Sequence, residues 1–414
     1  MCAFLCYDSG MELEKFYGHD KKIMRFDARL KNLEDKFYAG EGCYPDRVFS
    51  SPGRAEILGN HTDHNHGKVL VAAISCDILA AVKKRDDGRI KISSDGFAPF
   101  ELSADDTDAK ECERGTSKAL TRGVAAAIKG KGFVIGGFTA YLSSDVFRGA
   151  GVSSSAAYEV LIAEIFNRLY LDGALNAIDK AVISQYAENV YFGKPCGLLD
   201  QSGIALGGLS ALDFRVPTSP EHETLAMPDG YALVITNTGG DHASLTAHYA
   251  AIREEMESVA AYFGKSVLRE VDENDFYAHI GSVAEKTSGR AVLRAMHFYE
   301  ENKRVDKAVA ALKNNDTAGF LKAVNESGLS SLIRLQNCAV PGDTSQRVVL
   351  GIELSRKIIA NGAVRVHGGG FAGSILAIVA DEDVPSYETK MCEVFGKENV
   401  FIASVRSVGT SEML

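Results

Sequence analysis

The sequence has no tryptophan, only nine prolines in 414 residues, and no apolar run near the roughly 20 residues that span a bilayer. A membrane-spanning helix is therefore not expected. The opening stretch, MCAFLCYDSGMELEKF, carries acids where a secretion signal needs a basic segment and then a long apolar one, so a cytoplasmic location is expected. Basic charge is also short. Forty-five Lys and Arg against fifty-five Asp and Glu give a net charge of −10, a poor match for nucleic acid or an anionic membrane. The eight cysteines, at 2, 6, 43, 76, 112, 196, 338 and 392, include no Cys-x-x-Cys pair and suit neither a compact zinc site nor a disulfide framework. Free thiols in a reducing compartment are expected, with Cys196 reading as small apolar filler. No internal repeat, low-complexity stretch or G-x-x-x-x-G-K-[ST] phosphate loop occurs.

What is present is ordinary globular material, 46% hydrophobic and 24% charged, with forty glycines in no fixed period. The length favours two or three domains. Residues 1–47 read as an extension, with helical spacing from Ile23 through Phe37. Strand-like runs follow from Val48 to Val82, then a helix from Ser117 to Lys129 and a strand in GFTAYLSSDV, where Phe138, Ala140 and Leu142 share a face. Tyr158, Leu161, Ile162, Ile165 and Phe166 fall on one helical stripe, and another helix spans about Leu175 to Val190. Three of the nine prolines lie in the aperiodic stretch 213–230, which places a domain boundary between 1–215 and 216–414. The second half reads as the strand YALVITN, helices at about 245–263, 288–301, 305–313, 317–326 and 346–360, a glycine-rich turn, and the strands SILAIVA and VFIASV. Strands and helices do not alternate strictly, so the fold class is α+β with mixed sheets.

Three glycine-rich segments carry the chemistry. GAGVSSS at 149–155 joins a strand to a helix start, where free N–H groups and the helix dipole favour an anion such as phosphate; a plain turn with capping serines is the alternative. HGGGFAG at 367–373 matches G-x-G-x-x-G, but a strand-like run follows where a dinucleotide fold needs a helix. It also spells an esterase oxyanion motif, yet no G-x-S-x-G elbow exists. A tight hairpin, or a backbone packed against the first phosphate loop, remains. In SPGRAEILGNHTDHNHG at 51–67, Glu56, Asn60, His61 and Asp63 follow Arg54 and suit a polyhydroxylated ligand. A metal at His61, His64 and His66 is disfavoured, because no helical H-x-x-x-H is present. A polar turn is the bland reading.

Taken in order, these segments resemble the galactokinase branch of the GHMP small-molecule kinases. PGRAEILGNHTDHNHG is similar to the galactokinase signature, GAGVSSSAA to the superfamily ATP loop and VHGGGFAG to its third motif. GKPCGLLDQ at 193–201 is similar to the segment bearing the catalytic aspartate, and NTGGDHASLTAHYAAIR at 237–253 more loosely to a sugar-contacting helix. The resemblance implies a two-domain GHMP fold with the site in the interdomain cleft, and phosphorylation of a hexose at C1 by ATP with Mg²⁺. Asp200 would be the base and Arg54 would hold it ionised. Glu56, Asn60, His61, Asp63, Gly197 and Tyr249 would line the sugar. Gly149, Ala150, Gly151, Val152, Ser153, Ser154 and Ser155 would cradle the phosphates, and Ser155 and Glu188 would bind Mg²⁺. The partners implied are a small sugar and ATP.

Three departures stand out. The family usually has Asn then Glu where this chain has Glu56 then Asn60; GGDH at 239–242 replaces a more basic run; and PGDTSQ at 341–346 replaces a more acidic helix start. The first leaves galactose ahead of galacturonate, N-acetylgalactosamine or arabinose. A non-catalytic sugar and ATP sensor is a further alternative, against which the intact serine run and Asp200 speak.

Overall fold

The computed structural model describes residues 10–17, 23–146, 151–239 and 245–413. Its first sheet is built on a long antiparallel pair, Arg47–Leu58 (β1) and Lys68–Arg85 (β2), in which Arg47 opposes Val82 and Leu58 opposes Leu70. Both strands are buried along most of their length, so their sequence reads as continuous apolar runs more than as alternation. The register slips between Pro52 and Gly53 and again between Glu56 and Leu58. Such bulges re-aim side chains locally, and here they bracket Arg54 and Glu56.

Arg89–Ser94 (β3), Phe100–Ser103 (β4), Gly137–Ser144 (β5), Leu209–Asp213 (β6) and Glu221–Leu225 (β7) extend this sheet, with β3 parallel to β5 and the other pairs antiparallel. Helices Ser117–Gly130, Ser154–Tyr170, Ala177–Tyr186 and Leu199–Leu206 contribute to one large apolar core with it. Phe138, Ala140 and Leu142 point into that core, as the alternation predicts. The helix Ile23–Glu41 lays Leu33 and Phe37 against Leu79 and Ala81 of β2.

The second sheet is antiparallel, with strands Tyr231–Asn237 (β8), Gly362–His367 (β9), Ser374–Ala380 (β10) and Val400–Ala403 (β11) in the order β11-β8-β10-β9. Ser411–Glu412 (β12) returns to the first sheet, where Glu412 opposes Phe49 of β1. Helix Thr246–Tyr262 and the first half of Gly289–Lys313 form a second core, Val305, Ala308 and Ala311 of the latter join the first, and Arg347–Ile358 and Val384–Phe395 cover the second sheet. The mixed α+β class is the one expected. The structure differs from the sequence reading in several elements: 288–301 and 305–313 are one helix, and β3, β4, β6, β7, β9, β12 and the helices Leu199–Leu206 and Val384–Phe395 were not anticipated.

Residues of the second part, among them Leu233, Ile235, Phe320, Leu376 and Ile378, share the large apolar core of the first, and a buried polar seam also joins the two. The Glu301 carboxylate accepts from the Gly59 amide at 2.9 Å, from Ser327 Oγ at 2.5 Å and from Arg304 Nε at 2.7 Å. His297 links Asn60 O and Ser330 Oγ, both at 2.9 Å. Every one of these groups is desolvated, so the hydrogen bonds fix how the signature turn sits on the second half.

Candidate active site

Arg54 leaves β1 between the two bulges, and its Nε donates to Asp200 Oδ1 at 2.7 Å. Its Nη1 donates to the Gly151 carbonyl, and Ser153 Oγ donates to Asp200 Oδ2. Asp200 stands in the first turn of the helix Leu199–Leu206, where the dipole also favours negative charge. Burial alone would push its carboxyl up. The Arg54 charge and hydrogen bond, helped by Ser153 and Lys194, more than offset this and hold its pKa below the ordinary carboxylate value.

Asp63 ties the signature turn to the same helix. Its Oδ2 accepts from the Leu199 amide at 3.3 Å and its Oδ1 from the His64 amide at 2.9 Å. Gly197 packs directly on this carboxylate, and a side chain there would overlap it, so glycine is required for close approach. His61 Nε2 lies 2.9 Å from Gly369 O, and Tyr249 donates to Gly370 O at 3.0 Å while standing edge-on to Phe371. Burial holds His61 down to about 4, which keeps its ring neutral near pH 7. The third glycine segment is both a β9–β10 hairpin and a neighbour of the start of the 151–155 segment, with Gly368 and His367 facing Gly151.

Glu56 and Asn60 meet, with Asn60 Nδ2 donating to Glu56 Oε1 at 2.8 Å. The same amide donates to Gly368 O at 2.8 Å, while Asn60 Oδ1 accepts from Asn337 Nδ2 at 2.8 Å and Ser331 Oγ at 3.3 Å. Arg365 Nη2 donates to Glu56 Oε1 at 2.9 Å. Burial raises the Glu56 carboxyl above its usual value against the opposing charge of Arg365. Asn60 is fully buried and Glu56 nearly so, and both belong to the polar network that joins the 51–67 segment to the second part of the chain.

Ser155, on the first turn of the helix Ser154–Tyr170, donates to Glu188 Oε1 at 3.1 Å, and Gln201 Nε2 donates to Glu188 Oε2 at 2.8 Å. Glu188 lies in the π-helical turn Ala187–Phe192. Beside it Glu159 is fully buried, and burial followed by the Glu188 charge drives its carboxyl well above the usual range. The Cys196 thiol is pushed well up by burial and Glu188, which removes it as a nucleophile. Among the described residues no set of three His, Cys, Asp or Glu is arranged to hold a metal. Ser154 begins its helix close by; Gly149 and Ala150 lie outside the described residues, as do positions 240–242 of GGDH.

The galactokinase galactose-binding signature matches residues 35–84 and the GHMP kinases N terminal domain matches 119–208. The chain thus carries the galactokinase galactose-binding signature together with a GHMP kinases N terminal domain. With that signature in place it is a sugar kinase. Its fold is similar to that of Lactococcus lactis galactokinase, solved with galactose, at TM-score 0.82 and 23% identity over 93% of this chain and 100% of the other. The Methanococcus jannaschii mevalonate kinase superposes at TM-score 0.61 and 13% identity, covering 86% of this chain and 98% of that one. Streptococcus pneumoniae phosphomevalonate kinase, with phosphomevalonate and AMPPNP, reaches 0.59 at 11% identity, covering 88% and 99%.

Sequence reasoning missed the groups that support the signature from afar: Arg365, Asn337, His297 and Glu301. Arg365 alone left a trace, a lone charge inside the apolar run GAVRVH.

Proposed function

We propose that this chain transfers the γ-phosphoryl group of ATP to the C1 hydroxyl of galactose. The observation that carries the reading is Asp200, held ionised by Arg54 within one helical turn of the Asp63–Leu199 contact, so that a proton acceptor adjoins the signature turn. Asp200 accepts the C1 proton, while His61, Asp63, Gly197 and Tyr249 form the sugar pocket, with Glu56 and Asn60 bracing it from behind. Gly149 to Ser155 bind the phosphates.

Ser155 Oγ and Glu188 supply hard oxygen donors, and the buried acceptors Glu159 Oε1 and Gln201 Oε1 beside them lack a hydrogen-bond partner among the described residues. This donor set fits Mg²⁺, which prefers a few oxygens plus nucleotide phosphates. Mg·ATP supplies the transferable group and neutralises part of its charge. We place the site between residues 1–215 and 216–414, with β7 and β12 as the segments of the second part that pair in the first sheet. No helix among the described residues is long and apolar enough to cross a membrane, consistent with a cytoplasmic enzyme.

The test is ADP release over a panel of galactose, galacturonate, N-acetylgalactosamine, arabinose and glucose, with loss of the reducing end reporting attack at C1. Turnover restricted to galactose and its axial 4-hydroxyl relatives supports the reading. Sugar and nucleotide binding without turnover would make the chain a sensor.

A further inference from the structure

Lys194 follows Gly193, whose φ of 84° ends the π-helical turn that carries Glu188. Its backbone N–H donates to Glu188 O at 3.2 Å, which anchors the residue to that turn. Its Nζ donates to Glu188 Oε1 at 3.2 Å, the same oxygen that accepts from Ser155. The ammonium also acts electrostatically on Asp200 and on the Tyr249 hydroxyl. It therefore sits beside the proposed metal ligands, and its charge reaches the base.

The two cations near Asp200 differ in freedom. The Arg54 side chain is 6% exposed and committed to Asp200 and the Gly151 carbonyl, whereas that of Lys194 is 62% exposed on a flexible stem. Glu159, Glu188 and Asp200 crowd this part of the cleft with carboxyl groups, and a triphosphate brings more negative charge. Transfer concentrates charge on the moving phosphoryl oxygens and requires a cation aimed at them.

We propose that Lys194 is a phosphate-binding residue of this site, turning from Glu188 to the γ-phosphoryl oxygens of the bound nucleotide. The inference rests on the kinase reading above. In the step it assists, the sugar O1–P bond forms, the bond from the γ-phosphorus to the β,γ-bridging oxygen breaks, ADP takes that electron pair, and Asp200 receives the C1 proton. Lys194 stays protonated throughout and offsets the phosphoryl charge.

The experiment compares wild type, Lys194→Met and Lys194→Arg by calorimetric binding of Mg·AMPPNP, Mg·ADP and galactose, alongside kcat and KM. Lys194→Met is expected to bind Mg·AMPPNP about tenfold or more weaker, with Mg·ADP and galactose within about threefold, and kcat reduced by roughly 10–100-fold. Lys194→Arg keeps the charge and is expected to recover part of both losses. Equal weakening of the di- and triphosphate, or a kcat within about threefold of wild type, would overturn the role while leaving the kinase reading intact. Failure of wild type to bind either nucleotide would overturn both.

Discussion

The exchanged pair offers the sharpest energetic test. Asn60→Glu removes an amide that donates to Glu56 and to Gly368 O, and sets a second carboxylate against Glu56 at a fully buried position. Each lost hydrogen bond costs about 1 kcal/mol, and an unpaired buried carbonyl adds about 1–3 kcal/mol. Together these come to roughly 3–5 kcal/mol before carboxylate repulsion, which protonation of one partner relieves. The donors Asn337 and Ser331 still face position 60, and Arg365 still faces position 56. The reversed pair, Glu56→Asn with Asn60→Glu, restores one carboxylate and one amide and is expected to return about 1–3 kcal/mol as coupling energy. Urea unfolding of the four proteins measures the cycle, with galactose affinity by calorimetry as the second readout. Because both side chains face the seam, stability moves first and sugar affinity follows. Strict additivity, or an Asn60→Glu protein within about 1 kcal/mol of wild type, would refute the packed-network account.

Other expectations follow from the same geometry. Asp200→Asn is expected to cut kcat by roughly 10²–10⁴ with a smaller change in galactose affinity, and a near-normal kcat would remove Asp200 as the base. Arg54→Lys loses the directed Nε contact and is expected to lower kcat and bring an acidic limb of the pH–rate profile toward neutrality; an unmoved profile would contradict its control of Asp200. Glu188→Gln is expected to raise the Mg²⁺ concentration for half-maximal rate with galactose affinity nearly unchanged, and turnover in chelator would end the metal assignment. Burial holds His297 down to about 4, so the folded state resists a proton that the unfolded chain accepts below about 6.5. Stability from this residue is complete above that pH and falls as pH drops toward 4, by about 2 kcal/mol between pH 7.5 and pH 5. A His297→Asn protein with an unchanged pH slope in urea unfolding would show that His297 contributes none of it.

The meeting of Arg54, Asp63, Ser153 and Asp200 was legible because these residues lie in or beside glycine-containing segments whose order resembles one family's motifs. The helix Gly289–Lys313 was split at EENKR because charges mimic a solvated break. In fact Glu301 and Arg304 face inward, where they pair with each other and with Gly59. β9 was lost for the same reason, since Arg365 interrupts its apolar run in order to reach Glu56 and the Ile57 carbonyl. β7 gave no alternation because it is an edge strand with exposed or half-buried residues throughout. The orientation of Asn60 was illegible because its partners come from residues 331, 337 and 368, contacts that exist only after the halves dock.

The pairing of β12 with β1 sets a timing problem during synthesis. Phe49 and Ser50 emerge from the ribosome early, yet their neighbours Ser411 and Glu412, and Arg406 with its bond to Ser50 Oγ, arrive some 350 residues later. Through that interval one border of the sheet that holds Arg54 and Glu56 has open amides and carbonyls, a surface to which a second nascent chain can attach. The segment from Arg406 to Glu412 thus acts as a clasp. A ribosome that stalls before Arg406 releases a polypeptide with its sugar-binding segment already made and its sheet still unsealed, the form most in need of chaperone protection.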